Sequence, residues 1–470
     1  VPTEIKGLNE ECGVFAVWGH EDAAQITYYG LHSLQHRGQE GAGIVVTDGE
    51  QLKVEKGLGL ITDVFDAQRF ERLNGHGAIG HVRYATQGGD GYENVQPLVF
   101  RSQQNSLALA HNGNLVNAHA LKRQLEAQGS ILQTTSDTEV VAHLIRRSGS
   151  LPINESIKQA LTMLKGAYAF VVMTEDQLFV ALDPRGLRPL SLGKMGDSYV
   201  VSSETCAFDV VGADYVREIE PGEMLIIDEN GIQSERFAAP IQRTLCSMEY
   251  VYFSRPDSNL DGINVHSARK RMGKELAIEA PIEADVVTGV PDSSISAAIG
   301  YAEYSGIPYE LGLIKNRYVA RTFIQPSQEL REQGVKMKLS AVRGIVEGKR
   351  VVMVDDSIVR GTTSRRIVRM LKEAGAKEVH VRIGAPPIQN PCYYGIDTSE
   401  KEELIASKHN VEEIRDMIGA DSLAFLSVEG LQQSIGKREE SLMHGHCQAC
   451  FTGSYPTEIF PETVHPYEKA

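Results

Sequence analysis

Residues 350–375 read RVVMVDDSIVRGTTSRRIVRMLKEAG, and the order of their chemistry decides the architecture around them. Val351 to Val354 is a short apolar run that ends in two carboxylates, Asp355 and Asp356. A loop from Ser357 to Ser364 follows. Ile367, Val368 and Leu371 then fall at helical spacing until Gly375 stops the pattern. The stretch is therefore strand, loop, helix, with its polar groups at the carboxyl end of the strand, where open α/β sheets bind ligands. Gly361 lets the backbone approach closely, and Thr362, Thr363 and Ser364 bring hydroxyls beside the free N–H groups of a helix start. Such a turn suits a phosphate. It lacks the Gly-Lys-Ser/Thr ending of a nucleotide-triphosphate loop. The paired acids suit the vicinal hydroxyls of a ribose. An ordinary sheet-to-helix turn with exposed acids is the bland alternative, and it does not require Gly-Thr-Thr-Ser after the acids.

This order of residues resembles the phosphoribosyl-pyrophosphate (PRPP) motif of the type I phosphoribosyltransferases. The resemblance implies that Asp355 and Asp356 hold the ribose hydroxyls, and that the loop of Ser357, Arg360, Gly361, Thr362, Thr363 and Ser364 holds the 5′-phosphate.

Composition sets the frame. A chain of 470 residues has room for two or more domains with full cores. Hydrophobic residues at 42% and charged residues at 23% exclude disorder as the main state. A net charge of −15 excludes a general nucleic-acid binder, which needs a basic excess. An anionic substrate must be drawn by local clusters such as Lys315-Asn-Arg317 and Arg365-Arg366. Six cysteines in this length do not make a disulfide scaffold. No apolar run approaches membrane-spanning length, and residues 1–11 lack the apolar core of a signal peptide. A cytoplasmic location is expected.

In the first half, Cys12-Gly-Val-Phe opens a strand-like run after a short polar leader. A small buried cysteine at a strand start is the plain reading. The sharper one is a nucleophile that becomes N-terminal when residues 1–11 are removed as a propeptide. A free α-amine with a pKa of about 8 then serves as the thiol's own base. Four motifs follow that read as loops between strands: His36 to Gly43, Gly80 to Thr86, His111-Asn-Gly-Asn114, and Ser136-Asp-Thr-Glu139. Asn-Gly by itself signals a tight hairpin turn. Together, downstream of Cys12, they resemble the class II glutamine amidotransferase domain, an N-terminal-nucleophile hydrolase with a four-layer αββα sandwich. The resemblance implies that Cys12 attacks the glutamine amide and that Asn112 with the Gly113 N–H forms the oxyanion hole. Arg83 would grip the α-carboxylate, Asp137 would hold the α-ammonium, and Arg37 and Gly38 would line the same pocket.

A domain boundary is expected near 234–240, giving a glutaminase domain over 12–236 and a phosphoribosyltransferase domain over 237–470. In the second half, residues 263–278 have helical spacing, 285–290 and 307–314 read as strands, and Ser293 or Ser294 would cap the helix that follows Pro291. The family resemblance sets Ser293 near a Mg²⁺ ion shared with Asp355 and Asp356, a hard cation suited to phosphate oxygens. It makes the loop of Lys315 and Arg317 a mobile flap, with Lys315 also a contact for an inhibitory nucleotide. Cys206 reads as packing.

Cys447-x-x-Cys450 alone could be redox-active, zinc-binding or incidental. With Cys246 and Cys392, four thiolates suit structural Zn²⁺ or a [4Fe–4S] cluster, and His444 and His446 keep a mixed zinc site open. Taken together, the two halves resemble the glutamine-dependent PRPP amidotransferases, in their iron–sulfur, propeptide-bearing form. That implies amination of PRPP to 5-phosphoribosylamine with glutamine as nitrogen source, at the start of purine synthesis. It further implies one Mg²⁺ and one [4Fe–4S] cluster per subunit, inhibition by AMP, GMP, ADP or GDP, and a homotetramer. A PRPP-binding regulator, or an amidotransferase acting on another sugar phosphate, would share only one of the two halves.

Overall fold

The computed structural model describes residues 12–84, 91–102, 106–149, 151–239, 241–316, 339–396, 398, 400–436 and 444–460. The leader 1–11 and Arg317 lie outside the described residues.

The first half is a sandwich of two antiparallel sheets. One sheet has seven strands, with Gly13–Trp18 at its centre between Ser198–Ser202 and Gly77–Arg83. The other has six, with Leu107–Leu115 paired to Gly166–Met173, and that strand to Leu178–Leu182. Side chains alternate between two environments, as the two-residue period of a strand demands. Val14, Ala16, Ile79, Ala108 and Ala110 fill the layer between the sheets. Phe15 and Val17 face the helix Ala23–Ser33 on one outside, while Leu107 and Leu109 face helices Ala118–Ala127 and Thr138–Arg147 on the other. This is the expected αββα order.

The motifs read as loops are largely not loops. His111 to Asn114 lies inside the nine-residue strand Leu107–Leu115, and Gly80 to Arg83 ends the strand Gly77–Arg83. Asn112-Gly113 makes no hairpin turn: Gly113 pairs with Tyr168 across the sheet at φ +137°, a backbone shape glycine reaches without strain.

The second half is built on a parallel sheet in the order Val286–Gly289, Arg350–Asp355, Glu378–Ile383, Ser422–Phe425. Val352 and Val354 pack toward helices Val265–Glu279 and Ile295–Ser305, and Val351 and Met353 toward Thr362–Glu373. Burial on both faces is why this strand is continuously apolar. The strand expected over 307–314 is reduced to one parallel bridge, Val287 with Tyr309, and a short strand Leu313–Lys315 paired to Leu339–Ala341. The aromatic segment after Ser247 forms a π-helix, Glu249–Phe253.

Helices Val265–Glu279 and Ile295–Ser305 cross with their backbones touching. A Cβ at Gly273 would lie 1.8 Å from the Ala297 carbonyl oxygen, and one at Gly300 2.0 Å from that of Lys270. Gly273→Ala should therefore destabilise the second half by about 1–3 kcal/mol, read as a lowered midpoint in thermal unfolding; an unchanged midpoint would contradict this packing.

Candidate active site

The two-residue period carries the catalytic candidates of the first half into one layer. Cys12 precedes Val14 and Ala16, His81 and Arg83 follow Ile79, and Asn112 follows Ala108 and Ala110, so all project between the sheets. Cys12 is half-buried and its thiol donates to the Tyr84 carbonyl at 3.5 Å. Asn112 is fully buried, and neither end of its amide has a hydrogen-bond partner among the described residues. An unsatisfied buried amide costs free energy of about 1–3 kcal/mol, so a group this isolated points to a ligand that completes it. Arg83 is buried in the same layer.

Asp137 stands at the N-terminus of Thr138–Arg147. Its Oδ2 accepts from the Leu115 N–H at 2.9 Å, and its Oδ1 lies 3.5 Å from His111 Nδ1. Burial works to raise this carboxyl, but His111 and the Leu115 amide outweigh it and hold it below the ordinary range. A carboxylate kept ionised beside the layer can receive a cation.

Arg37 departs from the expectation that it lines a glutamine pocket. Its Nε donates to the Cys12 carbonyl at 3.1 Å, and its buried guanidinium meets Glu204 at 2.7 Å and Glu249 at 2.8 Å. Among the described residues those two carboxylates hold its charge. Gly38 packs on Arg83, where a Cβ would lie 2.6 Å from the carbonyl carbon. Glu204 and Glu249 were not legible as partners, being 167 and 212 residues from Arg37.

In the second half, Asp355 and Asp356 close the strand Arg350–Asp355 at its carboxyl end. Ser294 is the N-cap of its helix but makes no side-chain capping bond; its hydroxyl donates to Asp355 Oδ1 at 3.0 Å instead. Ser293 donates to Asp356 Oδ1 at 2.5 Å and Ser357 to Asp356 Oδ2 at 2.6 Å. Burial pushes the Asp355 carboxyl well above its ordinary value, and the neighbouring charge of Asp356 adds to this. Gly361, at φ +77°, is the N-cap of Thr362–Glu373, with no side-chain cap at that start. Arg360 is paired with Glu403, and Lys315 with Asp292 at 3.0 Å.

The four expected cysteine ligands share one cavity. Cys246 and Cys447 are paired in register at the ends of the parallel strands Arg243–Cys246 and His444–Cys447. Cys392 and Cys450 join them, and Leu187, Tyr394, Ile396, Ala449 and Tyr455 complete an apolar wall. Burial, with Cys392 and Cys447 close by, pushes the Cys450 thiol well up. Among the described residues no three His, Cys, Asp or Glu side chains are gathered so as to hold a single metal ion. His446 packs edge-on against the Tyr250 ring.

Residues 81–210 match the family model of the glutamine amidotransferase domain, and residues 264–388 that of the phosphoribosyl transferase domain. Over 467 residues the chain is 74% identical to the amidophosphoribosyltransferase of Bacillus subtilis (strain 168), covering 99% of this chain and 98% of that protein. The chain belongs to the amidophosphoribosyltransferase family. The Staphylococcus aureus (strain MRSA252) amidophosphoribosyltransferase is 56% identical across 97% of this chain and 92% of its own length. A solved structure, glutamine PRPP amidotransferase from B. subtilis complexed with ADP and GMP, superposes with a TM-score of 0.92 at 73% identity, covering 97% of this chain and 100% of that one. Both domains expected of an amidophosphoribosyltransferase are therefore present in the expected order.

Asn112 gives a test with two readouts. Asn112→Ala removes a buried polar group that has no partner, so stability should change by no more than about 1 kcal/mol. Glutamine-dependent turnover should fall on the order of 10²–10³-fold, the loss that follows removal of one oxyanion donor. A variant that unfolds while its folded fraction keeps full activity would reverse that assignment.

Proposed function

We infer that this amidophosphoribosyltransferase aminates PRPP in two half-reactions, one in each domain. Cys12 attacks the side-chain amide of glutamine, its own α-amine accepting the thiol proton and passing it to the departing ammonia. The glutamyl thioester left on Cys12 is hydrolysed by water to glutamate. The Asn112 side-chain N–H and the Gly113 N–H stabilise the negative charge that develops on the amide oxygen. Arg83 pairs with the α-carboxylate through its planar fork, and Asp137 takes the α-ammonium. Specificity for free glutamine over a peptide-bound one follows from those two charge partners. The ammonia travels by a protected path to C1 of PRPP and displaces pyrophosphate, giving 5-phosphoribosylamine, the first committed product of purine synthesis.

On the PRPP side, Asp355 and Asp356 accept from the ribose hydroxyls. The N-terminus of Thr362–Glu373, with Ser357, Gly361, Thr363 and Ser364, takes the 5′-phosphate. The acid pair and Ser293 fit a Mg²⁺ ion, being oxygen donors already gathered on Asp356. Bound there, Mg²⁺ would neutralise the pyrophosphate. Lys315 and Arg360 would supply positive charge to the entering anion, as would Arg317, which lies outside the described residues. Purine nucleotides, as in the B. subtilis relative complexed with ADP and GMP, would compete for the same ribose-phosphate contacts.

The observation that carries the glutaminase reading is the buried Asn112 amide, unpartnered in the layer toward which Cys12 projects. For the cysteine cavity we favour a [4Fe–4S] cluster over Zn²⁺. Four cysteines around one apolar cavity suit a cluster of soft ligands. Its part is to clamp the tail; no chemical step passes through it. We also propose that residues 1–11 are a propeptide, and that the enzyme works in the cytoplasm as a homotetramer.

Cys12→Ser should abolish glutamine-dependent loss of PRPP and leave ammonia-dependent turnover in place; loss of both would favour a reading in which the second domain only senses PRPP. N-terminal sequencing of active enzyme should begin at Cys12, and full activity in protein still starting at Val1 would exclude the free-amine mechanism. Anaerobically purified protein should carry iron and sulfide in equal amounts, four of each per chain by the stoichiometry of the cluster; stoichiometric zinc instead would overturn the cluster assignment.

A further inference from the structure

A side chain bonded to the Cys12 backbone answers to the other domain. Arg37 donates through Nε to the Cys12 carbonyl, and through its two terminal nitrogens to Glu249 at 2.9 and 2.8 Å. Glu249 is the first residue of the π-helix Glu249–Phe253, whose Tyr250, Val251 and Phe253 pack in the phosphoribosyltransferase core. Its carboxylate is fully buried and also accepts from Ser254 Oγ at 2.6 Å, with Arg188 Nη1 at 3.7 Å. The π-turn is itself stapled: Arg269 donates to the Tyr250 carbonyl at 2.7 Å and to the Ser254 carbonyl at 2.8 Å. Glu204 supplies the second acid on Arg37, from the first domain, and takes His36 at 2.7 Å and Ser258 Oγ at 2.7 Å as well. Two carboxylates, one from each domain, thus fix one guanidinium in both position and tilt.

We propose that Glu249 is a positioning residue for the glutaminase nucleophile, acting from the phosphoribosyltransferase domain through Arg37 on the peptide plane of Cys12. Buried pairs add little net stability over apolar packing of the same volume, and their best-attested return is a single defined geometry. Cys12 needs such a constraint once it is N-terminal, because no preceding residue then restrains it. The thiol and the α-amine share its Cα, so the carbonyl is the remaining handle by which their direction toward the amide can be set. π-Turns concentrate at functional sites, and this one aims a carboxylate out of its own domain. The consequence is that the glutaminase site is incomplete without the second domain, by way of one side chain.

The inference rests on Cys12 being the nucleophile, and the experiment separates the two. In the full-length enzyme with PRPP, Glu249→Gln keeps the shape of the side chain and removes its charge. Its glutamine-dependent kcat should fall on the order of ten- to a hundred-fold, since a displacement of about 1 Å at a reacting group costs that much. Its KM for glutamine and its ammonia-dependent rate should stay within about twofold of the parent values. Ser254→Ala, which removes one hydrogen bond from Glu249 and leaves the charges in place, should show a smaller, several-fold loss in the same kcat, and it serves if Glu249→Gln does not fold. An unchanged glutamine-dependent kcat, a change confined to KM, or an equal fall with both nitrogen sources would overturn the proposal. Cys12→Ala is measured alongside: glutamine-dependent turnover surviving there defeats the nucleophile assignment, whereas survival in Glu249→Gln alone defeats only the positioning role.

Discussion

The two halves of this molecule meet in one fixed relation, and a four-residue parallel ladder does much to set it. Arg243–Cys246, just after the first domain, pairs with His444–Cys447, returning from the end of the second. From the same ladder Thr244 donates to the Arg185 carbonyl at 2.7 Å, and Cys246 to that of Leu187 at 3.1 Å, so the strand is bonded to the glutaminase domain as well. The loop carrying Cys392 continues the connection. The Tyr393 carbonyl accepts from Asn114 at 2.9 Å, on the strand that holds Asn112 and Gly113, and the Tyr394 carbonyl accepts from Arg188. A ladder this short cannot hold by backbone bonds alone. At its end Cys447 packs with Leu187, Tyr394 and Ala449, adding apolar contact between the same segments.

The second constraint is the close approach of elements, and it explains what the sequence disguised. Chemical identity was legible: acid pair before Gly-Thr-Thr-Ser, cysteine near the start, Asn-Gly and Ser-Asp-Thr at intervals. Secondary structure at those motifs was not. Gly80 sits mid-strand because a Cβ there would meet Leu31 Cδ1 and Thr27 Cγ2 at 2.6 Å, and Gly43 because one would meet the Gln96 carbonyl at 2.4 Å. Local propensity reads such glycines as turns. Tertiary crowding, visible only once the helix and the facing strands are in place, makes them the residues a strand requires.

Other departures have the same cause at longer range. Ser294 carries the composition of a helix cap, yet its hydroxyl goes to Asp355, a partner 61 residues away that no local pattern connects to it. Arg37 reads from sequence as a ligand-binding arginine, and its true partners lie in segments no local pattern connects to it. The apolar run 307–314 has the composition of an edge strand, but its backbone pairs with the sheet at a single bridge, Tyr309 with Val287, before joining Leu339–Ala341. What periodicity specifies well is the buried parallel strand, where both faces are apolar and register has one solution.

The two sites solve the electrostatics of their buried carboxylates in opposite ways. Around Cys12 the buried charges are already matched: Arg37 and Arg188 stand against Glu204 and Glu249, and His36 and Arg37 overcome burial to keep Glu204 well ionised. That arrangement fixes Arg37 against the Cys12 carbonyl, while the buried Asn112 amide still lacks a partner among the described residues. At the PRPP loop, three serine hydroxyls and the Asp356 N–H are the donors bonded to the two adjacent carboxylates among the described residues, and burial with the neighbouring charge drives Asp355 toward its protonated form. Only donors or positive charge brought in from outside relieve it. The buried carboxylates around Cys12 are matched by cations of the same chain and those of the PRPP loop by neutral donors, the difference that a ligand or cation entering the second site would offset.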